Sequence, residues 1–215
     1  MPLFYQQDIN VTTRLAVWKI TEEEAFFLQA VPVQSNITHP QKRLQHLAGR
    51  YLLPYLFADF PHESIEIADT RKPFLPDEQY HFSISHCADY AAAIVSSSDR
   101  VGIDVEMITP RVEKIKHKFL HSDELAFVHS FPAEKQIPLL TLLWSCKEAL
   151  FKWWGMGDVD FSEVLRIFPF AFNPEGQIDA LFTREALQIP LMLSYSMNDQ
   201  MSLVWVTGSE GSFSG

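Results

Sequence analysis

Three carboxylates and one lysine carry most of the chemistry that this sequence offers. They sit in two runs, Gly102-Ile103-Asp104-Val105-Glu106 and Trp144-Ser145-Cys146-Lys147-Glu148-Ala149-Leu150-Phe151-Lys152. The first run reads as a strand, so Asp104 and Glu106 project from one face and the apolar Val101, Ile103 and Val105 from the other. The second reads as a helix, with Glu148 and Lys152 one turn apart and Trp144 one turn before them on the same stripe. Two carboxylates from a strand and one from a helix can hold a hard divalent cation, which prefers oxygen ligands. A lysine one turn further can meet an anionic substrate. Such a set fits chemistry on phosphate.

Each fragment also has a plainer reading. A D-x-E pair can be a solvated strand end, and Glu148 with Lys152 can be a surface salt bridge worth a few tenths of a kcal/mol. The helix around them is strongly apolar, from Leu139 to Trp154, which favours burial and places its few charges along a cleft. His86 ends the run Phe82-Ser83-Ile84-Ser85. It reads either as a structural histidine or as a donor to a phosphate oxygen. Cys87 beside it is no nucleophile candidate, because neighbours on a strand point apart and no third group orients them.

The elements that must position these residues follow from patterning. Arg14 to Ile20 reads as a strand. Thr21-Glu22-Glu23-Glu24 is a capping box that opens a helix at Ala25. A second helix runs from about His39 to Phe57, with Leu44, Leu47, Ala48, Tyr51 and Leu52 on its apolar face and a kink or stop at Pro54. Strands are predicted at Ile65–Ile67, Tyr80–Ser85, Tyr90–Ser96 and Arg100–Glu106. A basic helix is expected over Val112–Phe119, a short one capped by Ser122, and a long one over Pro138–Trp154 ending at Gly155. Strands follow at Val164–Phe168, Ile178–Phe182, Leu191–Tyr195 and Leu203–Val206. The order gives two α+β halves, residues 1–106 and 107–207, and a flexible tail over 208–215.

The chain has 215 residues, 47% of them hydrophobic, and a formal net charge of −10. A sizeable core can be built. So acidic a chain is a poor nonspecific nucleic-acid binder, and an anionic substrate must be drawn by a local basic pocket or a metal. With 8 glycines, several of them in the tail, there is no Gly-rich phosphate cradle. Two cysteines without ligand spacing imply neither a disulfide framework nor a zinc site, as in a reducing cytoplasm. No signal peptide and no membrane span are read.

Taken in order, Ala48-Gly49-Arg50, Lys72-Pro73, Ser83-Ile84-Ser85-His86, Gly102-Ile103-Asp104-Val105-Glu106 and Trp144-x-x-Lys147-Glu148-Ala149-x-x-Lys152 resemble the 4'-phosphopantetheinyl transferases, in their longer, single-chain form. The last two motifs are the specific ones. The resemblance implies two similar α+β halves about a pseudo-two-fold, with the active site in the cleft between them. It implies Mg2+, or Mn2+ in its place, on Asp104, Glu106 and Glu148, and coenzyme A as donor. Arg50, Lys72, Pro73, Ser85, His86 and Lys152 would bind coenzyme A, with Glu148, Lys152 and His86 in catalytic roles. The acceptor would be a serine of an acyl or peptidyl carrier protein. A cytoplasmic monomer is implied. Arg111, Lys114, Lys116 and Lys118 offer either a docking patch for an acidic carrier or a solvated basic face. A metal-dependent phosphohydrolase using the same carboxylates, and a silent binding module, are the other readings. The carrier and its pathway are not legible.

Overall fold

The computed structural model describes residues 2–31 and 37–208. Two antiparallel sheets form its centre. The first orders β1 (Leu3–Asp8), β2 (Thr13–Lys19), β6 (Tyr90–Ser96) and β5 (His81–Cys87). The second orders β7 (Arg100–Met107), β11 (Met201–Gly208), β10 (Leu187–Met197), β9 (Glu175–Arg184) and β8 (Leu165–Ile167). A small ribbon, β3 (Glu66–Ile67) with β4 (Pro73–Phe74), stands apart. The helices are α1 (Glu24–Phe27), α2 (Pro40–Leu56), α3 (Ser122–His129) and α4 (Ala133–Trp154).

The layers follow from side-chain alternation. In β6, Ala91, Ala93 and Val95 pack toward α2, while Tyr90, Ala92 and Ile94 pack against the second sheet. In β7, Val101, Ile103 and Val105 join that middle core, so Gly102, Asp104 and Glu106 belong to the opposite face, where α4 packs. The third core lies between α4 and β8–β11, built on Leu139, Leu143, Leu150, Trp153, Phe182 and Val204 among others. The fold is therefore mixed α+β, as the sequence order predicts. The sheet boundary falls in the turn between β6 and β7, because β7 pairs with β11 rather than with the first sheet.

Two features, one between the sheets and one within the second half, position the site at the level of single residues. β5 and β7 are the facing edges of the two sheets, and edge strands leave ladder groups unpaired. Here Ser83 Oγ, Ser85 Oγ and Cys87 Sγ accept the backbone N–H of Ile103, Val105 and Met107 at 3.2, 3.2 and 3.4 Å. A side-chain seam replaces a ladder. On the other face, Gly102 lets α4 lie directly on β7. A Cβ there would collide with the carbonyl of Ala149 and stand 2.8 Å from the Trp153 nitrogen.

Several local expectations need correction. β1 and β4 escaped the sequence reading; in β1, half-buried and exposed residues alternate, and no apolar-polar alternation in Leu3–Asp8 announces it. Thr21 forms no capping box; its hydroxyl bonds Glu22, and the helix it was to open is four residues long, Glu24–Phe27, with no side-chain cap. Pro54 does not stop α2, which runs through Leu56, because it sits in the last turn. The basic segment Pro110–Lys118 is 3-10 rather than α-helical. His121, not Ser122, caps α3, through a reciprocal box with Glu124. Pro138 lies inside α4, which begins at Ala133. Gly155 ends α4 in the left-handed region, φ 71°, as predicted. Gly208 closes β11, and the remainder of the expected tail, 209–215, lies outside the described residues.

Candidate active site

The Gly102 contact lays α4 over β7, and the acidic residues of the two elements meet there. Lys152 Nζ donates to Asp104 Oδ1 at 2.6 Å and to Ser85 Oγ at 2.9 Å. The Ser85 hydroxyl donates in turn to Asp104 Oδ1 at 2.9 Å. Asp104 is 2% exposed, and its Oδ2 is buried without a hydrogen-bond partner. Glu106 accepts from the Cys87 thiol at 3.1 Å. Lys152 therefore pairs with a strand carboxylate, not with Glu148 on its own helix, and the surface salt-bridge reading falls.

The electrostatics follow from this crowding. Burial first, then the charges of Asp104 and Glu106, push the Glu148 carboxyl up to about 7 against the pull of Lys152. Burial and Asp104 also raise Glu106, although Cys87 and Trp144 donate hydrogen bonds to it and Lys152 lies near. Three carboxylates against one ammonium leave a negative surplus. Hard oxygen donors, an orphaned buried Oδ2 and that surplus suit a hard divalent cation. Among the described residues, however, no three His, Cys, Asp or Glu side chains already form a metal cage. The Lys152 ammonium instead sits against Asp104.

The other predicted residues divide into two groups. Lys72 and Pro73 line a cleft of about 220 Å3 together with Ser83, Ile84, Phe151 and Lys152. The Lys72 ammonium donates to the carbonyl of Lys152 at 2.7 Å, so it caps the end of α4 and joins the halves. Burial, then Arg100, lowers it to about 8. Thr70, from the same loop, donates to the carbonyl of Gly155 at 3.2 Å. His86 is exposed on β5, next to Ser85. Partial desolvation and then Lys152 hold its imidazole below the usual range. Arg50 lies apart, buried on α2, and is not part of the carboxylate cluster.

Sequence reasoning missed the seam-forming roles of Ser83 and Cys87, the only signal being small hydrogen-bonding side chains at every second position of β5. It also left Lys147 without a role. Lys147 is fully buried, bonding Glu124 Oε1 at 2.8 Å, Phe161 O at 3.0 Å and the carbonyl of Leu165. Glu124 also accepts from the N–H of Ile167 and of His121. This pair ties α4 to α3 and β8, and it is structural. Burial pushes the Cys87 thiol up to about 11, which disfavours the thiolate.

Residues 100–200 match the family described as the 4'-phosphopantetheinyl transferase superfamily. The matched span holds all three carboxylates and Lys152, the groups that the fold assembles. Over that span, just under half of its length, the chain is similar to that superfamily. It is 34% identical over 131 residues to 4'-phosphopantetheinyl transferase psf-1 of Bacillus pumilus, covering 60% of this chain and 54% of that protein. It is 33% identical to enterobactin synthase component D of Salmonella typhi, over 52% of this chain and 48% of that protein. With the 4'-phosphopantetheinyl transferase AcpT of Escherichia coli O157:H7 it shares 28% identity, over 63% of this chain and 72% of that protein. For the first two, the matched region spans only about half of the relative's length.

Proposed function

We propose that this protein transfers the 4'-phosphopantetheine arm of coenzyme A to a serine hydroxyl of an apo acyl or peptidyl carrier protein, releasing adenosine 3',5'-bisphosphate. One observation carries the reading. A carboxyl held near 7, Glu148, stands in the same cluster as a lysine that is already hydrogen-bonded to a buried aspartate beside an inter-half cleft. A base of that strength takes a proton at neutral pH and is not already spent.

In this reading the serine oxygen forms a bond to the β-phosphorus of coenzyme A, and the bond from that phosphorus to the bridging oxygen breaks. Glu148 accepts the serine proton. Lys152 leaves Asp104 far enough to neutralise the departing phosphate. Ser85 and the seam hold Asp104 and Lys152 in register. Lys72 fixes the end of α4 from the other half and, with Pro73, lines the donor cleft. His86, exposed on β5 beside Ser85, would donate to a phosphate oxygen. Mg2+ or Mn2+ on Asp104, Glu106 and Glu148 would neutralise charge on the pyrophosphate. A metal-bound Glu148 is a poorer base, so one carboxylate carries two competing roles. A cytoplasmic monomer remains part of the proposal. The two free thiols, Cys87 and Cys146, agree with a reducing compartment.

The phosphohydrolase reading has no observation of its own behind it. The protein is incubated with coenzyme A, Mg2+ and an apo carrier, and the carrier is weighed by mass spectrometry. Gain of one phosphopantetheine is expected. Unmodified carriers from fatty-acid, polyketide and peptide systems alike would overturn the proposal.

A further inference from the structure

A second cavity, of about 200 Å3, adjoins the cleft of Lys72 and Lys152, and the site described above does not account for it. Lys72, Pro73, Phe82 and Gly155 line both. The Lys72 ammonium is spent on the carbonyl of Lys152. The rest of the wall is mostly apolar, from Phe74, Leu75, Val101, Trp154 and Met156, and Arg100 also lines it. Phe74 is 36% exposed and Met156 49%, so the cavity opens onto an apolar surface patch.

The sheet shows which part of the chain stands next to this patch. β11 ends at Gly208, whose partner across the ladder is Arg100. A Cβ on Gly208 would stand 3.0 Å from the Trp153 indole nitrogen, so the chain leaves β11 over the neighbour of Trp154. The strand thus delivers Ser209-Glu210-Gly211-Ser212-Phe213 to a wall of the cavity. Among residues 1, 32–36 and 209–215, which lie outside the described ones, Glu210 is the only carboxylate and Phe213 the only aromatic. Glu210 follows Gly208 by two positions, within reach of the Arg100 guanidinium. Phe213 follows by five, a span of up to about 17 Å. A ring suits the apolar patch, and a carboxylate suits the guanidinium beside it.

We infer that the segment after β11 seats on this cavity, with Phe213 against Trp154 and Met156 and Glu210 on Arg100. The seat stands independently of the transfer reaction. It also backs the wall that the two cavities share, so it holds Lys72 and Pro73 from the side away from Lys152. Its effect on coenzyme A rests on the donor reading above.

The test labels the methionine methyl groups of the full chain for NMR. The Met156 methyl should show a contact to the Phe213 ring and move in Phe213→Ala, while Met192, on β10 outside the cavity, stays. A Met156 resonance identical in the two proteins overturns the seat. Glu210→Lys should weaken the contact, and Arg100→Glu added to it should restore the contact; equal loss in both variants overturns the ion pair. In a mixture, one copy carries the methyl label with deuterated Phe rings and the other carries neither. No contact is expected there, and its appearance would assign the seat to a second copy and overturn the inference. Phe213→Ala should also raise the KM for coenzyme A about threefold at unchanged kcat. An unchanged KM once the contact is lost overturns the backing of the cleft. Wild-type protein that shows the contact and transfers nothing would sink the donor reading and leave the seat.

Discussion

Glu148 is the residue on which activity and stability pull apart. Its carboxyl titrates near 7 in the fold instead of at the ordinary 4.5. Between those values the native state keeps a proton that the unfolded chain has lost, so stability falls as pH rises through that window. Above it the full cost of an ionised, crowded Glu148 is present. Glu148→Gln removes that cost. In the presence of a chelator the variant should melt higher than wild type above pH 7 and no higher below pH 4.5, by thermal scans across that range. Its transfer rate should fall by about a hundredfold or more, the usual worth of a positioned base. A variant that melts lower at every pH would show that Glu148 is held by bonds rather than strained. A variant with near-normal turnover would remove it from the chemistry.

At the scale of elements, the site exists because α4 can lie on β7. Gly102→Ala drives a methyl group into the carbonyl of Ala149. Overpacking of this kind costs about 2–3 kcal/mol and moves α4, and with it Glu148 and Lys152, away from Asp104. Urea denaturation should register the loss, together with a fall in kcat larger than any change in KM for coenzyme A. Wild-type stability would mean that the helix stands further off than described. The strand GIDVE and the helix around KEA are legible in the sequence because their periods, two and 3.6, hold across several residues and place each charge on a face. The role of Gly102 is not legible, because it depends on which helix crosses the strand. The seam between β5 and β7 escaped for the same reason: nothing in Ser83, Ser85 or Cys87 announces a bond to a backbone N–H until two edges face each other. The capping box at Thr21 failed because its hydroxyl found Glu22 first. The helix at Pro110–Lys118 failed because a charged nine-residue segment with one buried side chain, Val112, has little to hold an α-helix.

At the scale of the molecule, the proposed function asks an acidic protein to receive an acidic carrier. Arg111, Lys114 and Lys118 are exposed on the segment after β7, while Lys116 leans toward Glu113 at 3.6 Å. If this is where the carrier docks, reversing Lys114 and Lys118 to Glu should raise the KM for the carrier about tenfold at low salt and leave that for coenzyme A alone. An unchanged carrier KM would return the segment to a solvated face. The proposed function makes a claim about the whole molecule: the cleft that Lys72 and Lys152 line would take a donor, and the carboxylates beside Lys152 would take a proton from an acceptor. The most direct measurement of that claim counts products. Adenosine 3',5'-bisphosphate released and phosphopantetheine gained by the carrier are quantified in the same reaction, with and without apo carrier. The account predicts equal amounts, and none without the carrier. Release of adenosine 3',5'-bisphosphate in the carrier's absence, with the carrier unmodified when present, would contradict it.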